Sequence, residues 1–217
     1  KKVYQQRRVI SIGRLQIHRG TIYGILGPVG SGKTTLLRHL AGFESQTEGI
    51  LKYDNNEFES NWLGKIKVPQ EIYYVGDHSV SEKQTVEQLI ESIYQDKSKG
   101  IVKKYFRGSI SKQILPLRIK FLSPGQRAWF DLVLALESDP RVLIHDNFAT
   151  LFDNEMEFIA RKELKRMNKD LGTTIILSSI NDNALKKFCS VLVHLENGHI
   201  TKVRSGLQKQ RGDYSKK

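Results

Sequence analysis

Cysteine is nearly missing from this chain: Cys189 is the only one in 217 residues. One thiol cannot build an intramolecular disulfide framework, and it fits a reducing compartment. No apolar run approaches the ~18 residues that a membrane-spanning helix needs, so the chain is not expected to cross a bilayer by itself. No signal-peptide pattern is present; because the first residue is Lys1 rather than Met, nothing about a leader follows from that. Internal repeats, zinc-type Cys/His spacing and RNA-reading motifs are lacking too. Acidic charge is in the minority: 23 Asp and Glu stand against 35 Lys and Arg, a formal charge of +12. That excess points to an anionic partner (nucleotide, nucleic acid or lipid surface) without choosing among them. With 39% hydrophobic residues the composition is globular, and the length suffices to bury a core without staples.

What is present is an alternation of short apolar runs with amphipathic segments. Residues 20–26, 72–75, 142–145, 173–177 and 191–195 read as buried strands. Residues 3–17 suit antiparallel strands with Arg7-Arg8 at a turn, and residues 49–53 an edge strand. Helical spacing places Leu36, Leu37 and Leu40 on one face of residues 34–41. The same spacing runs through Ala128, Leu132, Ala135 and Leu136, and through Met156, Ile159, Ala160, Leu164 and Met167. Residues 81–120 read as a small helical subdomain, and 191–195 as the last strand read from an apolar run, with Asn197-Gly198 as a hairpin turn. Strands alternating with helices predict α/β architecture with a mostly parallel sheet. Trp62 and Trp129 read as packing residues, as do His145, His194 and His199.

Gly27-Pro-Val-Gly-Ser-Gly-Lys33-Thr34 satisfies G-x-x-x-x-G-K-[ST] between a strand and a helix. Glycines let successive N–H groups turn inward around phosphate oxygens, and the helix start adds its positive dipole end. Gly27, Gly30, Ser31, Gly32, Lys33, Thr34 and Thr35 are therefore candidate nucleotide contacts. Lys33 would reach the β- and γ-phosphates, and the Thr34 hydroxyl would ligate Mg²⁺. Asp146 ends the run 142–145, where the second Mg²⁺ ligand is expected. A glycine turn or a capping aspartate would explain either feature alone. Together they predict a Mg²⁺–nucleoside triphosphate site.

Leu122-Ser-Pro-Gly-Gln126-Arg127 resembles the L-S-G-G-Q signature of ABC ATPases, and the resemblance extends over nearly the whole chain. Thr150-Leu-Phe-Asp153 looks like that family's D-loop. Thr85–Leu89 and the Glu196–Gly198 turn follow in family order, and Tyr4 lies sixteen residues before Gly20. The resemblance implies a P-loop ABC ATPase fold: α/β, a mostly parallel core sheet, an antiparallel N-terminal β-subdomain and a small helical subdomain. It divides a single nucleotide-binding domain into a core with its β-subdomain (1–80 and 127–204), a helical subdomain with the signature (81–126) and a basic tail (205–217). The implied cofactors are ATP and Mg²⁺, with Tyr4 under the adenine. Two such domains pair head to tail, so Ser123, Gly125 and Gln126 would address the partner's ATP and Asp153 the opposing subunit. Pro124 removes an N–H where the family usually has glycine.

Three positions depart from the family, all tied to hydrolysis. Asn147 replaces the glutamate that polarises water, and an amide cannot take its proton. Ile180 replaces the switch histidine (Ser179, if the register slips by one), and Asp77 replaces the Q-loop glutamine. The expectation is a chain that binds Mg-ATP and dimerises around it, as a homo- or heterodimer, with weak or absent hydrolysis at its own site. The family further implies an integral membrane subunit as partner and a cytoplasmic place on a membrane's inner face. Basic residues of the tail (Arg204, Lys209, Arg211, Lys216, Lys217) could then rest on anionic lipid, at ~1 kcal/mol each. Other readings stay open: active hydrolysis with Asp77 as a displaced base, or against an intact partner, and a nucleic-acid-associated ATPase. The last is not favoured, because such relatives carry paired domains, long coiled coils or zinc modules.

Overall fold

The computed structural model describes residues 1–62, 66–76 and 81–206. The chain opens with a hairpin of β1 (Lys2–Tyr4) and β2 (Arg7–Ile10). Its turn is Gln5-Gln6, both at positive φ, so Arg7 and Arg8 stand in the strand rather than at the predicted turn. A two-residue link with both φ positive matches the twist of paired strands, and this outweighs the poor fit of glutamine to that region. Next come β3 (Ile22–Leu26) and α1 (Lys33–Leu40), then a separate ribbon of β4 (Lys52–Tyr53) and β5 (Asn56–Glu57), and β6 (Ile72–Tyr74).

The helical segment follows, with α2 (Val86–Tyr94), α3 (Ser98–Tyr105) and α4 (Gly108–Ile114). Thr85 begins α2 with a reciprocal capping box, its hydroxyl accepting from Gln88 N and the Gln88 side chain accepting from Thr85 N. The chain returns through α5 (Pro124–Glu137), β7 (Val142–His145), α6 (Asn154–Leu171), β8 (Thr174–Ser179), α7 (Asp182–Lys186), β9 (Val191–Glu196) and β10 (His199–Ser205). β10 returns antiparallel to β9 across Asn197-Gly198, as a hairpin turn there requires; its own residues are largely exposed and offer no apolar run. The strand reaches Ser205, where the tail was expected to begin.

The main sheet runs β10-β9-β3-β8-β7-β6, parallel except for the β10–β9 pair. This is the α/β architecture anticipated above, with an antiparallel N-terminal hairpin and a helical insertion. Alternation along the central strands divides the core in two. Ile22, Leu26, Ile175 and Leu177 face α5, α6 and the helical segment, with Trp129 and Leu164. Tyr23, Ile25, Ile176 and Val193 face α1 and the hairpin, with Leu36 and Leu37. Trp129 is buried as expected, but Trp62 is 91% exposed, on the loop after β5 and outside both clusters. His145 is buried and His199 exposed, the latter at the start of the edge strand. Among the described residues no helix is long and apolar enough to cross a membrane.

Candidate nucleotide-binding site

A cleft of about 390 Å³ lies at the C-terminal ends of β3, β7 and β8, where open α/β sheets bind ligands. The volume falls in the range of cofactor sites. Gly30, Gly32, Lys33, Thr34 and Thr35 form its floor, and Asn147 and Ile180 reach it from the ends of β7 and β8. Gly32 is the residue before α1, at φ 100°; a Cβ there would stand 2.7 Å from Ile10 Cδ1. Only glycine fits that backbone and that approach. No side chain caps α1, so its first amides are left to the cleft.

Lys33 is buried, and its ammonium donates to the Gly27 and Pro28 carbonyls at 2.8 and 2.9 Å. Burial holds its pKa below the ordinary lysine value, with the Asp146 carboxylate pulling the other way. Thr34 Oγ1 donates to Asp146 Oδ2 at 2.5 Å. This pairing of a hydroxyl with a carboxylate supplies hard oxygen donors on one spot, and they fit Mg²⁺. A magnesium ion held by Thr34 and Asp146 would neutralise charge on the β- and γ-phosphates. Asp146 Oδ1 accepts from the Asn147 amide at 3.1 Å and from the Ser178 hydroxyl. Sequence reasoning missed Ser178, and also Arg7, Val9 and Val29, which line the cleft. Ser178 carries no local signal, since only strand pairing brings β8 beside β7.

The remaining expected residues lie elsewhere. Gly27 and Ser31 belong to the loop but do not line the cleft; the Ser31 carbonyl accepts from Gly198 N at 3.0 Å. Tyr4 does not line it either: its hydroxyl donates to Glu44, and the Lys2 ammonium sits 4.9 Å from its ring centroid. The hairpin presents Arg7 and Val9 to the cleft instead. Ser123 and Gln126 form a capping box at the start of α5, with Pro124 at its first position. A Cβ on Gly125 would stand 2.7 Å from the Leu151 carbonyl, so packing inside this chain already requires glycine there. Asp153 accepts from Met156 N at 2.8 Å as the cap of α6. Asp77 lies outside the described residues.

Fold and cleft together define a P-loop nucleoside-triphosphate-binding domain. A model of the ABC transporter family matches residues 12–150, more than half of the chain, and the chain belongs to that family as a nucleotide-binding domain with the P-loop ABC ATPase fold. Membership implies ATP binding, with Mg²⁺ in general use. The chain is 29% identical over 210 residues to methionine import ATP-binding protein MetN 1 of Oceanobacillus iheyensis, covering 90% of this chain and 61% of that relative. It is 27% identical over 216 residues to MetN of Clostridioides difficile, covering 93% and 65%. The chain thus spans less than two thirds of these relatives' lengths. Among solved structures, a dimeric ATP-binding cassette bound to ADP and Pi superposes with a TM-score of 0.71 at 19% identity, covering 90% of this chain and 89% of that one. An ATP-binding subunit of an ABC transporter gives 0.74 at 16% identity, covering 94% and 86%. At these identities the likeness is one of fold.

Proposed function

We propose that this chain is the ATP-binding subunit of a membrane ABC system. It binds Mg-ATP, dimerises around it with a second nucleotide-binding domain, and hydrolyses ATP weakly or not at all at its own site. One observation carries the reading: Asn147 and Ile180 stand in the same cleft as Lys33, Thr34 and Thr35. Groups that bind phosphate are thus kept while the two that would activate or hold an attacking water are an amide and an alkyl chain. A general base commonly contributes ~10² to 10⁴ in rate, and an isoleucine offers no donor to the γ-phosphate. The proposed partners are an integral membrane subunit and a homologous or different nucleotide-binding chain, with the protein peripheral on the cytoplasmic face. The import ATP-binding proteins among the relatives support an importer; no nucleic-acid partner is proposed.

A second reading rests on the signature. Ser123 and Gln126 hold a complete capping box, with Ser123 exposed. A heterodimer could therefore cleave ATP in the site that an intact partner shares with this signature. Single-turnover hydrolysis at high enzyme concentration separates the two. The chain alone should turn over well below 1 s⁻¹, the low end of ordinary enzymes. Turnover on the order of 1 s⁻¹ in the isolated chain would overturn the proposal, whereas turnover only after adding a co-purified second chain selects the heterodimer.

A further inference from the structure

We infer that Ser178 is a positioning residue for the cation-binding carboxylate, an inference that rests on the proposed Mg-ATP site. Ser178 is fully buried in β8, between β3 and β7, in a strand whose six residues are all buried. A hydroxyl in such a strand must find partners, and the two that it finds are Asn147, which lines the cleft, and Asp146, which is bonded to Thr34 on the cleft floor. Its O–H donates to Asp146 Oδ1, and its oxygen accepts from the Asn147 amide at 2.8 Å. The backbone is tied at the same place, with Phe148 N donating to the Ser178 carbonyl at 2.9 Å.

The consequence is geometric. Asp146 Oδ2 is engaged by Thr34 at 2.5 Å and Oδ1 by Ser178 and Asn147 N. Both oxygens are anchored, so the plane of the carboxylate is fixed before any cation arrives. The same hydroxyl holds Asn147 at φ 52°, and Asn147 lines the cleft. Residues that orient metal ligands without touching the metal typically change metal affinity 10–100-fold when removed. An alanine at this position deletes the donor and the acceptor together.

The test is equilibrium binding of a fluorescent ATP analogue, in Mg²⁺ and in EDTA, by the wild type, Ser178→Ala, Ser178→Cys and Ser178→Thr. The wild type should bind more tightly with Mg²⁺. Ser178→Ala should lose about tenfold or more of that metal-dependent gain while its affinity in EDTA stays within about twofold. Ser178→Thr, which keeps the hydroxyl, should retain the gain. Should Ser178→Ala fail to fold, the near-isosteric Ser178→Cys, a weak donor, carries the same expectation. A full metal-dependent gain in the alanine or cysteine variant would overturn the inference, and so would an equal loss with and without Mg²⁺. A wild type with no metal-dependent gain would instead sink the proposed Mg-ATP site itself.

Discussion

The backbone of Asn147 sits at φ 52°, a left-handed conformation that asparagine tolerates and most other side chains do not. On the proposed function, a glutamate placed here therefore acts on two things at once. The carboxylate would supply a base, but its backbone would be strained by about 1 kcal/mol. We predict that Asn147→Glu lowers the urea midpoint by an amount corresponding to about 1 kcal/mol with an unchanged m-value. Hydrolysis should rise by less than the ~10² to 10⁴ of a well-placed base, because Ile180 still lines the same cleft without a polar group. Single-turnover rates and urea melts on the same variant give both readings. Gly125 carries a parallel lesson: its tight approach to the Leu151 carbonyl makes it necessary to the fold of this chain, whatever it does for a partner.

Between elements, the helical segment is fastened to α5 and α6 by a polar cluster. Lys104, on α3, reaches Glu137 and Glu163 at 3.0 Å each; Tyr105 donates to Glu137 at 2.5 Å, and Arg166 to Glu163 at 2.9 Å. Burial alone would raise the Glu163 pKa, but the Lys104 and Arg166 contacts outweigh it and hold the carboxyl below its ordinary 4.5. Because the folded value is depressed, this contribution is fully present above 4.5 and is lost as pH falls through the folded-state value. Breaking a fully buried ion pair costs roughly 3–5 kcal/mol; Lys104 remains 32% exposed, so Lys104→Met should cost about 2 kcal/mol at neutral pH. Its further loss below pH 4.5 should be smaller than the wild type's, as urea melts across that range would record. Apart from the Arg166–Glu163 pair, three residues apart on α6, the cluster was not legible in the sequence, because its members lie on three helices that only the fold brings together. The loop at 27–34 was legible because its chemistry is contiguous, and so was Asp146, because an apolar strand delivers it. Arg7 and Val9 reach the cleft, and Ser178 reaches Asp146, through strand placement, which leaves no trace in local spacing. The Gln5-Gln6 turn lacks the glycine or asparagine that announces such geometry.

The whole molecule couples its nucleotide cleft to its core through β3, which carries the phosphate loop at one end and lies between β8 and β9. Cys189, just before β9, offers a single reporter of that coupling. It is fully buried within the larger core cluster, and its backbone amide donates to Leu185 at 2.8 Å. Burial pushes its thiol up to about 12, with Arg161 pulling the other way, so at neutral pH the native chain holds almost no reactive thiolate. Labelling by a thiol reagent must then wait for the core to open. A ligand that binds only the native chain stabilises it by RT ln(1 + [L]/Kd), about 2.7 kcal/mol at one hundred times Kd. If opening is global and faster than labelling, the same factor divides the open population, and Mg-ATP at that concentration should slow modification of Cys189 about a hundredfold. Lys33→Ala, which removes the ammonium from the floor of the cleft, should show little slowing at the same ligand concentration. Modification at an unchanged rate in saturating Mg-ATP would mean that the segment around Cys189 opens locally, leaving the phosphate loop in place. A hundredfold effect would show that the cleft and the core open as one unit.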